Sequence, residues 1–304
     1  MLLEKIKNNQ NGLLFYGMTP PKLTTDTEKI KTIASKQMAR LKGLDIDGVI
    51  LYDIQDETAR TNDPRPFPFL STLDPHVYSK QYLQELEVPK IIYKSVGKYT
   101  ADDLKNWLQQ GTDTEQVVFV GAPSKEQQTT LSLQEAYQIK REANPELLLG
   151  GVTIPERHHK KGDEHIRLFD KMDKGCRFFV SQCVYNSGHA KDFLSDYYYA
   201  SKEQGRDLVP IIFTLTPCGS QKSLQFMKWL GVDIPSWLKN ELLASNDILG
   251  TSIDVCKSIA AEIISYCKDK NMPVGFNIES VAIRKEEIEA SIALVSDIRS
   301  MMNS

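Results

Sequence analysis

Three apolar runs separated by two amphipathic stretches decide the fold: LLLGGVTI at 147–154, CRFFVSQ at 176–182 and LVPIIFTL at 208–215. Helical periodicity fills the gaps, from about Glu164 to Lys174 and from Ala190 to Glu203. The runs are continuous rather than alternating, as strands covered on both faces are. Parallel strands need a long crossover, usually a helix, so this segment reads β–α–β–α–β. Working outward towards the start, the same unit recurs at GLLFYGM (12–18), DGVILYD (47–53), VPKIIYKS (88–95) and EQVVFVGA (115–122). Their helices are predicted from about Thr25 to Leu44, in a short stretch ending near Leu86, from Thr100, and from Ser132 to Arg141. Thr100 and Asp103 have the spacing of a capping box. Towards the end come a helix over Ser220–Leu230, two further helices near Pro235–Ala244 and Ile253–Asp269, the strand MPVGFNIES (272–280), and a helix over Lys285–Met302. Eight β–α units in series with no linker predict an α/β fold, a (β/α)8 TIM barrel. It occupies residues 1–304 as one domain, with extra helices between strands 7 and 8. A doubly wound open sheet is the alternative.

Composition narrows the function classes. With 37 Lys and Arg against 40 Asp and Glu in 304 residues, the net charge is −3, and the charges are interspersed. A nucleic-acid binder needs a basic footprint, so that class is not expected. No apolar run approaches the roughly 20 residues that span a bilayer, and MLLEKIKNNQ lacks a signal-peptide core, so a cytoplasmic protein without membrane partners is expected. Cys176, Cys183, Cys218, Cys256 and Cys267 are odd in number and contain no CxxC pair, which argues against a disulfide scaffold and against a thiolate metal site.

In a barrel, chemistry belongs at the carboxyl ends of the strands and in the loops that follow them. Standard fingerprints are absent there: no GxGxxG, no GxxxxGK[ST], no HExxH and no GxSxG. The densest polar segment, Pro155 to His165, follows strand five and carries three of the five histidines. It reads as a solvated basic loop or as an anion or cofactor site in which Arg157, His158 and Lys171 offer charge-assisted donors. Its spacing matches no compact metal motif, and adjacent His158 and His159 point in different directions, so no metal is assigned. Gln182 closes strand six with an amide suited to a heterocycle edge, and Tyr52, Tyr93 and Tyr185 fall at strand ends where rings flank a planar ligand. Arg60 and Arg65 lie in the loop after strand two and suit a phosphate or carboxylate; a rigid surface loop is the alternative reading.

In this order the segments resemble the methylenetetrahydrofolate reductase family along nearly the whole chain. The carriers are Pro20-Pro21 after strand one, Tyr52 followed by Glu57 and Arg60, and Thr100-Ala-Asp-Asp-Leu104. Pro155-Glu156-x-His158, Lys171 with Asp173-x-Gly175, Ser181-Gln182, Ile234-Pro235-x-Trp237 and Arg284 complete the set. The resemblance implies a flavin-binding barrel, with FAD or FMN held by Tyr52, Arg60, Tyr93, Arg157, His158 and Lys171. It also implies a folate or related pterin contacted by Gln182 and Arg284, NAD(P)H as hydride source, and self-association into a homo-oligomer. Three departures stand out. Gly17 occupies the family's glutamate acid position, Gly121-Ala122-Pro123 replaces its Arg-Gly-Asp, and Tyr93 replaces its histidine. A general acid contributes typically 10²–10⁴-fold, and glycine supplies none. Glu279 and Glu156, both at predicted strand ends, are the replacement acids expected. The functional expectation is a reductase-like flavoprotein of one-carbon folate metabolism. Its alternative is a folate- or methyl-binding barrel without reductase activity; a third reading is a metal-dependent enzyme using His158, His159 and His165.

Overall fold

Runs rich in Val, Ile and Phe pair side by side because each buries both faces. The computed structural model describes residues 2–57, 61–110, 115–122 and 129–303. Within them the strands are β1 (Leu13–Met18), β2 (Gly48–Leu51), β3 (Lys90–Ser95), β4 (Glu115–Val120), β5 (Leu149–Thr153), β6 (Cys176–Cys183), β7 (Ile211–Leu215) and β8 (Val274–Glu279). All neighbours are parallel, and β1 pairs with β8, so the sheet is a closed barrel in sequence order rather than an open doubly wound sheet. The helices are α1 (Leu2–Lys7), α2 (Thr27–Leu41), α3 (Pro75–Tyr82), α4 (Ala101–Gln109), α5 (Leu133–Ala143), α6 (Pro155–Lys161), α7 (Glu164–Asp173), α8 (Ser187–Gln204), α9 (Gln221–Trp229), α10 (Ser236–Ala244), α11 (Ile248–Lys268) and α12 (Lys285–Met302). Helices α9 to α11 lie between β7 and β8, where the extra helices were expected.

Side chains alternate along each strand between the barrel interior and the helix layer. Leu13, Phe15, Ile50, Ile91, Val118, Leu148, Phe178, Val180 and Ile212 form the interior cluster. Leu14, Leu51, Ile92, Leu149, Phe179, Phe213 and Phe276 pack outward against the helices. Gly150 makes room for the interior: a Cβ there would fall 2.4 Å from the Phe178 ring. Helix α1 closes the amino-terminal end of the barrel, with Leu2 and Ile6 buried in the interior cluster. Asp47 pins that end. Its carboxylate accepts from the Leu14 amide (2.8 Å), from Arg299 (3.0 Å) and from Lys5, tying α1, β1 and α12 together.

Local signals account for the helix ends. Thr100 and Asp103 form a complete capping box, each side chain accepting from the other's backbone amide at 3.1 Å, and Ser132 with Glu135 does the same. Two elements differ from the sequence expectation. Helix α1 was not predicted; its one-turn apolar pair Leu2 and Ile6 suffices only because the barrel floor receives it. Residues 155–161, read as a loop or anion site, form α6. Pro155 in its first turn and left-handed Gly162 (φ 68°) after its last turn bracket the charged run as a helix. All five cysteines are free and buried. Among the described residues no helix is long and apolar enough to cross a membrane.

Candidate functional site at the barrel mouth

The amino-terminal end is sealed by α1, so a ligand has access to the interior from the carboxyl ends of the strands. Alternation places Gly17, Tyr52, Tyr93, Val120, Val152 and Glu279 in the last inward layer. Closure of the barrel sets Gly17 directly opposite Glu279 in the β1–β8 register. A Cβ on Gly17 would lie 2.9 Å from the Tyr52 ring, 3.0 Å from its hydroxyl and 3.1 Å from Glu279 Oε2. Glycine is therefore required sterically: the space that a side chain at position 17 would take is filled by Tyr52 and the Glu279 carboxyl.

A short hydrogen-bond chain fixes that carboxyl. Thr216 Oγ1 donates to Glu279 Oε1 at 3.1 Å. Asn277 Nδ2 donates to the Tyr52 hydroxyl at 2.8 Å and to Thr214 Oγ1 at 3.2 Å, and the Tyr52 hydroxyl is hydrogen-bonded to Glu279. Tyr93 stands edge-on to Tyr52, with ring centroids 4.9 Å apart. Tyr52 and Glu279 keep part of their surface open to the mouth, and protein encloses the rest. Burial raises the Glu279 carboxyl above the ordinary range, against the pull of Tyr52, Thr216 and Asn277. Burial first, and then the neighbouring Glu279 carboxylate, raises both tyrosine hydroxyls and keeps them neutral.

A second carboxyl lies across the mouth, in the first turn of α6 directly after β5. Glu156 is 3% exposed, and neither carboxyl oxygen has a hydrogen-bond partner among the described residues. Burial pushes it up to about 8, with the nearby Asp233 charge adding to the rise. At neutral pH it is mostly an uncharged acid, able to donate as well as accept. On the neighbouring strand β6, Gln182 Nε2 donates to the Leu230 carbonyl (2.8 Å) while Gln182 Oε1 has no partner among the described residues. The buried Cys183 thiol sits within electrostatic reach of both Glu279 and Glu156, and burial raises it well above the ordinary range. It is an apolar wall rather than a nucleophile.

The loop after β2 reaches this rim from the side. Trp229 Nε1 donates to the Asp63 carbonyl at 3.0 Å, one residue before the Leu230 carbonyl that holds Gln182. The Arg65 guanidinium lies 4.9–5.4 Å from the ring centres of Trp229, Phe69 and Phe226. Its Nε and Nη1 have no hydrogen-bond partner among the described residues. Arg65 is thus a guanidinium caged by three aromatic rings, and the sequence pointed to its loop but showed no sign of the cage.

The charged residues assigned to a flavin are dispersed. Arg157 is committed to buried Glu164, Nε to Oε2 at 2.5 Å and Nη2 to Oε1 at 2.8 Å. Lys171 donates to the Val152 carbonyl at 2.5 Å and packs beside Gly151 on the outer face of β5. His158 packs on Phe193 of α8, in the helix layer. Arg60 lies outside the described residues. Arg284 is exposed at the start of α12. Among the described residues only Tyr52 and Tyr93 of the expected flavin set meet at the mouth, and Arg157, His158 and Lys171 are not gathered there to hold a flavin phosphate. Two surface clefts, of about 460 Å³ beside Trp237 and α11 and about 440 Å³ between α9 and α10, are not lined by Gly17, Tyr52, Tyr93 or Glu279.

No family model matches the chain, and no curated protein matches it. Solved structures do. A 2,3-dimethylmalate lyase of the PEP mutase/isocitrate lyase superfamily aligns over 99% of this chain and 95% of its own, at 10% identity and a TM-score of 0.41, which carries no argument. An uncharacterized protein from Clostridium thermocellum that binds two copies of 5-methyl-5,6,7,8-tetrahydrofolic acid aligns over 99% of this chain and 100% of its own, with 50% identity and a TM-score of 0.89. At that identity over the full length, the chain belongs to the same family as the Clostridium thermocellum protein.

Proposed function

We propose that this protein binds a reduced folate of the 5-methyltetrahydrofolate type at the carboxyl-terminal mouth of its barrel. The observation that carries the reading is the end-to-end relative, half identical, that binds that ligand. The mouth supplies matching chemistry. A reduced pterin presents ring N–H and amino donors beside carbonyl and nitrogen acceptors, and the site offers both kinds of partner. Gln182 Oε1 is an unused acceptor, Glu156 is an acid that donates or accepts, and Tyr52 with Tyr93 supplies aromatic walls. Arg65 supplies positive charge for the carboxylates of the folate's glutamate tail.

Glu279 is the group we assign to proton handling. Burial raises its carboxyl above the ordinary range, and it stands 3.1 Å from where a Gly17 Cβ would lie, beside the strand position at which the resemblance to the methylenetetrahydrofolate reductase family would put an acid. That juxtaposition favours a second reading, a reductase-like activity on a methylene-folate, for which NAD(P)H and a flavin would be required. The dispersal of Arg157, His158 and Lys171 argues against flavin binding in that family's manner, so folate binding without resident flavin is the primary reading.

Calorimetric titration with 5-methyltetrahydrofolate, alongside absorbance spectra after addition of FAD or FMN, tests both. Heat of binding with no flavin band supports the primary reading. A bound flavin with NADH oxidation in the presence of menadione supports the second, and no folate binding at all removes both.

A further inference from the structure

Behind the mouth, in the helix layer, a cluster unconnected with folate recognition stands out. His158 of α6, His165 of α7 and Asp196 of α8 each present one ligand atom, and the three atoms lie within 4.8 Å of one another. We propose that these three side chains bind a divalent transition-metal ion of the zinc class, which clamps α6 to α7 and α8.

The geometry carries the inference. His158 Nε2 lies 3.2 Å from Asp196 Oδ2. Ligands at roughly 2.0 Å from a tetrahedral zinc stand about 3.3 Å apart, so this pair already has the spacing of two corners of the tetrahedron. His165 completes the third corner by a small side-chain rotation, its ring centroid being 5.4 Å from that of His158. His158 is 5% exposed, whereas Asp196 is 55% exposed along its side chain, so the fourth position opens to solvent and the ion has an entry path. Phe193 packs on the His158 ring and Phe169 on the His165 ring, which gives the polar cluster a carbon surround. His158 Nδ1 and His165 Nδ1 have no hydrogen-bond partner among the described residues, so neither ring is held to its orientation by a second hydrogen bond at that nitrogen.

Neighbouring histidines provide an internal control. His159 points away from His158 and stacks on His189, with centroids 3.7 Å apart and planes 17° apart. His189 Nδ1 in turn lies 3.2 Å from Asp233 Oδ2. That group has the same residue types but is not among the three-ligand clusters found in the described residues. The metal reading of the sequence through His158, His159 and His165 therefore changes one member: Asp196, distant in the chain, takes the place of His159.

The test is titration of the chelator-treated full-length protein with zinc chloride, followed by calorimetry and by thermal melting, with cobalt(II) absorbance as a report of ligand geometry. One equivalent of zinc per chain, a higher Tm with zinc, and an intense visible cobalt band are expected. Asp196→Asn and His165→Gln should each weaken zinc at least about tenfold, and His159→Gln should leave it unchanged. Asp196 is largely exposed, so Asp196→Asn keeps the fold and isolates the ligand effect. Absence of zinc uptake at 100-micromolar concentration on the order used for weak sites, retention of full affinity in both ligand variants, or its loss in His159→Gln would each overturn the proposal.

Discussion

The two ends of the barrel solve opposite problems with similar residues. At the floor, the Asp47 carboxylate accepts from Lys5, Arg299 and the Leu14 amide, and three helix and strand elements close over it. At the mouth, Glu156 is buried with both oxygens unpartnered, and Glu279 is held by neutral donors only. A buried polar group without partners costs about 1–3 kcal/mol and persists where something else requires it. The floor is arranged for stability and the mouth for a ligand.

The largest expected effect comes from the interior just above the floor. Phe178→Ala removes a fully buried ring from the layer shared with Leu2, Ile6 and Leu148, and should cost about 3–5 kcal/mol of unfolding free energy. Chemical denaturation measures it. If the folded variant retains wild-type folate affinity, the division between the two ends holds.

The second prediction sets the carboxyls at the two ends against each other by pH. Glu156 is raised to about 8 in the folded chain from an ordinary value near 4.5. The unfolded chain ionises first, so the folded state loses stability as pH rises through that window, by up to about 5 kcal/mol. Glu156→Gln should remove this loss, and melting curves between pH 5 and 8 should then flatten.

Asp47 behaves in the reverse sense. Burial alone would raise it, but Lys5, the Leu14 amide and Arg299 outweigh that and lower it. Its contribution is present above about pH 4 and is lost as pH falls through the folded value. Asp47→Asn should cost on the order of 1–2 kcal/mol at pH 7 and blunt the acid-side loss. An Asp47→Asn protein whose acid melting midpoint matches wild type would break the comparison.

Much of this architecture was legible in the sequence because each strand is an uninterrupted apolar run and most helices carry local caps. The Thr100–Asp103 box lies where its spacing put it. Features that depend on closure were less legible. Gly17 and Glu279 are at opposite ends of the chain, and only the β1–β8 pairing makes the glycine and the carboxyl occupants of one space. Helix α6 hid behind a run of His and Lys with no apolar stripe, although Pro155 and Gly162 marked its ends. Arg157 and Lys171 read as free cations because their partners, buried Glu164 and the Val152 carbonyl, become neighbours through tertiary packing. The Arg65 cage requires Phe226 and Trp229 from α9, which no local pattern connects to the loop after β2.

One measurement bears most directly on the claim that the mouth is the folate site: calorimetric titration of 5-methyltetrahydrofolate into wild type, Gly17→Leu and Asp47→Asn. A leucine at position 17 collides with Tyr52 and Glu279, whose atoms stand 2.9–3.1 Å from the first side-chain carbon alone. The account predicts that folded Gly17→Leu loses at least one equivalent of folate, or binds it about tenfold or more weakly, while Asp47→Asn binds as wild type. Full wild-type stoichiometry and affinity in Gly17→Leu would contradict it.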